Sequence, residues 1–113
     1  MTVTTLGIDI GKSTFHLFGS NAQEHPVLKK KCSRPQLLRF TVQLPTCLIG
    51  IEACPGAHHV VRALQDQGHT VKLILAQFVK PYVKSNKSDF LDAEAIAEAV
   101  TRPTDALRAD QDD

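Results

Sequence analysis

Polar and apolar residues alternate at the start of the chain, in TVTTLGIDIG. Leu6, Ile8 and Ile10 fall on one face and Thr5, Gly7 and Asp9 on the other, which predicts a strand. Gly11-Lys12-Ser13 is turn material, and alternation resumes in TFHLFGS, so the two runs form a hairpin. Asn21-Ala22-Gln23 turns the chain into HPVLKKKC, a third strand that Pro26 assigns to a sheet edge. Ser33 and Gln36 make a capping-box pair and Pro35 sits in the first turn, so PQLLRFTVQL reads as a helix stopping before Pro45. CLIGIEA is almost wholly apolar, as a central strand covered on both faces would be. Pro55 starts a second helix through Gln67, with Gly68 at its C′ position. TVKLIL is a fifth strand, residues 76–88 a lysine-studded connection, and DFLDAEAIAEAV a third helix.

The order β-β-β-α-β-α-β-α describes an α/β domain over residues 1–102, without repeats or an internal linker. Its first three strands run antiparallel, and the fourth and fifth run parallel to the first. Residues 103–113, PTDALRADQDD, are acidic and nearly devoid of apolar side chains, a composition that predicts a disordered tail.

The third helix poses a problem. At about 100° per residue, Asp89, Asp92, Ala93, Ile96, Ala99 and Val100 share one stripe, while Glu94 and Glu98 lie opposite. The aspartates therefore occupy the stripe expected to face the core, and an unpaired buried carboxylate is costly.

Composition narrows the setting. The 113 residues suffice for one domain. No run of 18 apolar residues and no charged-then-apolar leader is visible, so neither a membrane span nor a secretion signal is expected. The odd number of cysteines (Cys32, Cys47 and Cys54) reads as free thiols in a reducing cytoplasm. The net charge of +1 conceals a division: residues 1–88 hold 11 Lys/Arg against four acids, and residues 89–113 hold two Arg against eight acids. A basic body suits a polyanionic partner, although solvated lysine-rich faces are common.

A divalent cation would answer the problem of the third helix. Asp9 lies within a strand, where Asp is disfavoured, and Glu52 ends the most apolar strand. Two central strands and one helix can bring Asp9, Glu52, Asp89 and Asp92 together. Mg²⁺ is held by a few carboxylates with water and phosphate, and two such ions can clamp a phosphodiester during in-line displacement. Taken singly, each residue has a plainer role. Asp89 could be an N-cap and Asp92 a third-position residue favoured by the helix dipole, and Glu52 a solvated strand end. Lys80, Lys84 and Lys87 with Tyr82, and Lys12 in the first turn, are candidate phosphate-backbone contacts, the tyrosine stacking on a base; a solvated loop explains them too. His58 and His59 point about 100° apart on one helix and have no third ligand, so they are not read as a metal site.

GIDIGKSTFHL, GIEACPGAHHVVRALQDQGHTV and AQFVKPYVKSNKSDFLDAEAIAEA together resemble the N-terminal domain of the DEDD-type insertion-sequence transposases, the family that includes the Piv DNA invertase. The resemblance covers residues 4–103, and K-S-D-x-x-D-A is its most specific part. It implies a RuvC-like, ribonuclease-H-type fold, with a mixed five-stranded sheet flanked by helices. It also implies a catalytic carboxylate tetrad of Asp9, Glu52, Asp89 and Asp92 binding Mg²⁺ or Mn²⁺, and DNA as the partner. For full-length members it further implies a homo-oligomer, in some a bridge RNA, and a place at the bacterial nucleoid. One departure is Ala53-Cys54-Pro55-Gly56, where the family often has Ala or Ser, then Thr and Gly. The family's serine nucleophile belongs to a second domain, so this chain alone is expected to be inactive. Two other readings compete. A fragment could keep the fold, bind nucleic acid or assemble, and not cut. GIDIGKST also resembles the first phosphate loop of actin-like sugar kinases and ATPases, whose second aspartate-glycine loop this chain lacks.

Overall fold

The expected hairpin is present: β1 (Thr5–Ile10) pairs antiparallel with β2 (Phe15–Ser20), and β3 (Pro26–Cys32) adds antiparallel on the far side of β2. β4 (Leu48–Glu52) lies parallel beside β1, and β5 (Thr70–Ile74) parallel beside β4. These relations come from a computed structural model that describes residues 2–83, 89–102 and 107–109, with backbone alone for Asp89 and for 107–109. The five strands stand in the order β3-β2-β1-β4-β5. β1 and β4 are central, and Pro26 opens the edge strand β3, beside a register shift at Gly19/Ser20, a position where proline is tolerated.

Within the acidic stretch after residue 102, β6 (Leu107–Ala109) pairs antiparallel with β5. Composition alone reads this stretch as disordered. The open edge of β5, a row of unpaired N–H and C=O groups, is a template that composition does not reveal.

The two faces of the sheet differ in chemistry because side chains alternate. Leu6, Ile8, Leu17, Ile49, Ile51, Val71 and Leu73 fill one face and pack against two helices, α1 (Arg34–Thr41) and α2 (Ala57–Asp66). The capping box of α1 is formed: Ser33 Oγ accepts from the Gln36 N–H, and Gln36 Oε1 accepts from the Ser33 N–H at 2.9 Å. α2 starts at Ala57 rather than Pro55 because Gly56 takes a left-handed turn (φ 86°), and Gly68 (φ 101°) ends it as expected. A buried polar cluster ties these helices to the sheet. His69 Nδ1 accepts from the Cys47 N–H at 3.2 Å, so its Nε2 donates to the Thr41 carbonyl at 2.9 Å. The three cysteines are free thiols.

The other face carries Thr5, Gly7 and Asp9 of β1, His16 and Phe18 of β2, and Leu48, Gly50 and Glu52 of β4. On it lies α4 (Asp89–Val100), reached through a short helix, α3 (Ala76–Val79), and a 3₁₀ turn (Lys80–Tyr82). The lysine-studded connection is thus partly helical, because Val79 is buried and Tyr82 and Val83 pack against α4. The buried surface of α4 is wider than one stripe: Ala95 and Ala97 are buried along with Ala93, Ile96, Ala99 and Val100. A helix resting on the sheet and flanked by a folded connection needs that wider apolar arc. Among the described residues no helix is long and apolar enough to cross a membrane.

Candidate metal centre

Two glycines bring the third helix of the sequence pattern onto the sheet. Gly7 and Gly50 are register partners on β1 and β4. A Cβ on Gly7 would strike the Ala93 carbonyl oxygen and lie 2.5 Å from the Ala97 nitrogen, and one on Gly50 would lie 2.7 Å from Val100 Cβ. Only bare backbone admits α4 at this depth. Glycine inside a strand signals such an approach, and this pair is the functional feature that the carboxylate pattern by itself misses.

Beyond those glycines lie the carboxylates. The parallel register of β1 and β4 reaches Ile8 and Ile51; Asp9 and Glu52 follow them, level on neighbouring strands and on the face that α4 covers. Half-buried Asp92 lies in the first turn of α4. Burial raises the Glu52 carboxyl above its ordinary value, the Asp92 charge raises it further, and Lys80 opposes the rise. Burial also raises the Cys54 thiol, with Glu52 and then Asp9 adding to the effect. Asp92 and Lys80 are therefore within electrostatic reach of Glu52, and Glu52 and Asp9 within reach of Cys54.

The surroundings are partly aromatic. His16 stands opposite Asp9 across the hairpin and meets the Phe90 ring edge-on at 4.9 Å, and Lys29 Nζ lies 5.6 Å from that ring. Asp89 opens α4 three residues before Asp92, the spacing of neighbours on one helix face; its side chain lies outside the described residues. Among the described residues, no group of three His, Cys, Asp or Glu that could hold a metal ion is formed.

The candidate nucleic-acid contacts fare differently from one another. Lys80 is exposed beside Glu52, and Lys12 is exposed in the turn after β1. Tyr82 is half-buried against the core under α4, with the Arg102 guanidinium 5.9 Å from its ring. Lys84 and Lys87 lie outside the described residues. His58 and His59 are exposed on α2, across the sheet.

Glu52 yields a pH prediction. Its folded pKa is raised, so the native state holds its proton where the unfolded chain, near 4.3, has released it. Its contribution to stability is present below that pH and lost as pH rises through the folded value. In EDTA, Glu52→Gln should match wild type near pH 4 and become the more stable protein by pH 7, as read by urea denaturation. A difference independent of pH would remove Glu52 from the negative cluster.

The fold is that of RuvC: the T. thermophilus protein solved in complex with Holliday junction substrate superposes with a TM-score of 0.65, covering 88% of this chain and 92% of that one at 13% identity. A family model for the DEDD transposases of the IS110 group, described as "Transposase", matches residues 6–113. The chain belongs to this transposase family. The match runs past residue 103, where the recognisable motifs stop, and it decides against the phosphate-loop reading of GIDIGKST. The transposase for insertion sequence element IS1328 of Yersinia enterocolitica is 49% identical over 102 residues. A probable family 20 transposase of Pseudomonas aeruginosa is 47% identical over 104. The transposase for IS1111A of Coxiella burnetii is 40% identical over 100. This transposase domain covers 90%, 92% and 88% of its own length in those alignments but only 30%, 31% and 28% of the relatives.

Proposed function

We propose that this domain supplies the metal-binding carboxylates for DNA strand cleavage and transfer in transposition, with Asp9, Glu52, Asp89 and Asp92 holding Mg²⁺ or Mn²⁺. The observation that carries the reading is the level placement of Asp9 and Glu52 on adjacent central strands, with the Asp92 charge acting on Glu52. The donors suit the ion, since carboxylate oxygens are what a hard divalent cation takes. A carboxyl whose charged form is already disfavoured by burial and by a like charge gains from a cation beside it. When bound, such an ion polarises a phosphodiester and lowers the pKa of an attacking hydroxyl.

The chain's own residues do the rest. Strands paired on both sides carry Asp9 and Glu52, and a helix seated on two glycines carries Asp92, which supports a preorganised set of donors. Exposed Lys80 adds a cation beside Glu52 that can take a phosphate oxygen. DNA is the substrate class that membership in a transposase family supports. The chain spans about a third of its relatives' length, and the second domain, the homo-oligomer and the guide RNA that the family resemblance implies are proposals about the whole protein.

Asp92→Asn tests the site. If Asp92 is a ligand, its charge destabilises the metal-free domain, so the variant should melt higher than wild type in EDTA and gain less from Mn²⁺. If Asp92 serves only the helix dipole, the same change should cost up to about 1 kcal/mol and leave the metal response intact. The two roles give opposite signs in one melting experiment, and the second outcome would end the ligand assignment.

A further inference from the structure

A second concentration of charge lies at the β3 edge, on the α1 face of the sheet and so across it from the carboxylates. A groove of about 370 Å³ between β3 and α1 is lined by Lys30 and Arg39, with Gln36, Gln43 and Phe40; it also touches Lys31, which pairs with His16 and so alternates onto the other face. No acid lines it. Between Glu24 and Glu52 the chain contains no Asp or Glu, and five cations: Lys29, Lys30, Lys31, Arg34 and Arg39. Even the first turn of α1 lacks an acid, although the helix dipole stabilises one there by about 0.3–1 kcal/mol.

Lysines on an edge strand ordinarily keep it from pairing with another chain. That role accounts for the β3 lysines. It does not account for Arg39, which enters the same groove from a helix, nor for the lack of counter-acids among the described residues. Phe40 narrows the choice of ligand. Lys30 Nζ lies 5.0 Å from its ring centroid, so the aromatic face is already engaged by a cation and an unstacked base has no free platform. Cations and side-chain amides without a stacking surface fit a phosphate backbone whose bases remain paired.

We infer that the β3–α1 groove docks the phosphate backbone of duplex DNA flanking the stretch held at the carboxylates, an inference that rests on the strand-cleavage reading above. The test is binding of a fluorescein-labelled mixed-sequence DNA duplex to the 113-residue chain in EDTA, by anisotropy at several salt concentrations, with a single-stranded RNA of equal length in parallel. Joint substitution Lys30→Ala and Arg39→Ala should weaken duplex binding about tenfold or more. It should also flatten the plot of log affinity against log salt by about 2, at ~0.9 for each phosphate no longer neutralised. Lys30→Arg and Arg39→Lys should restore both. If the double alanine variant does not fold, Arg39→Ala alone must flatten the slope by about one.

Unchanged duplex affinity and slope in a folded variant would overturn the inference and leave the lysines as edge protection. Loss of RNA binding alone, or no duplex binding by the unmodified chain at low salt, would overturn it equally. Because EDTA removes metal-dependent chemistry from the readout, failure here leaves the carboxylate site standing. Groove-dependent binding together with wild-type cleavage by a full-length transposase whose copy of this domain carries Asp9→Asn would instead reject the strand-cleavage reading.

Discussion

Gly7→Ala is expected to destabilise the domain by about 1–3 kcal/mol, the range for overpacked cores, and Gly7→Val to leave it unfolded. The sign is diagnostic. Within a strand, replacing glycine by alanine ordinarily stabilises by roughly 0.5–1 kcal/mol, because glycine loses more freedom on folding. Here the added carbon would meet the backbone of α4 at Ala93 and Ala97, and neither atom can swing aside. Gly50→Ala should cost less, since its obstacle is the Val100 side chain, which a small shift of the helix end can relieve. Each kcal/mol corresponds to about 4–8 °C in a domain of this size, so thermal melts resolve all three variants. A Gly7→Ala protein as stable as wild type would mean that α4 does not rest on β1, and the placement of Asp92 would fall with it.

Asp9→Asn should abolish most of the stabilisation by Mg²⁺ or Mn²⁺. A site filled at about a hundred times its dissociation constant stabilises the native state by ~2.7 kcal/mol, which is roughly 10 °C or more here. With one central ligand neutralised, the melting shift between EDTA and saturating Mn²⁺ should shrink to a small fraction of that. In a full-length transposase carrying this domain, the same change should reduce DNA strand cleavage about 10²–10⁴-fold, the equivalent of several kcal/mol of lost charge stabilisation. An equal melting shift in variant and wild type would move the ions elsewhere on the molecule, and cleavage at the wild-type rate would take Asp9 out of the chemistry.

Much of this architecture is legible along the chain because local rules write it. Alternation in β1, β2 and β3 needs only neighbouring residues, and it already separates the Asp9 face from the face of Leu6, Ile8 and Ile10. The Ser33–Gln36 box and the turn at Gly68 act within three or four residues, and both form as read. The apolar run ending at Glu52 identifies a central strand for the same reason: a segment without a polar face has to be covered on both sides. Asp9 is conspicuous because Asp is disfavoured inside a strand, and Asp89 and Asp92 because they share the apolar stripe of their helix.

What escaped the pattern depends on partners distant in sequence. The folded connection at Ala76–Tyr82 follows from Val79 and Tyr82 finding the core beneath α4. β6 forms on the free edge of β5, which exists only once the sheet is assembled. Lys30 and Arg39 look like scattered surface cations until β3 and α1 bring them to one groove. The candidate centre shows the division most clearly. Residue order alone specifies which acids are available, which strand face carries Asp9, and which end of a helix carries Asp92. Whether those acids meet depends on the parallel pairing of β1 with β4 and on the Gly7–Gly50 floor that lets α4 come down onto it. Those contacts join residues more than forty positions apart, and their strength lies in van der Waals fit across a gap with no room for a single methyl group.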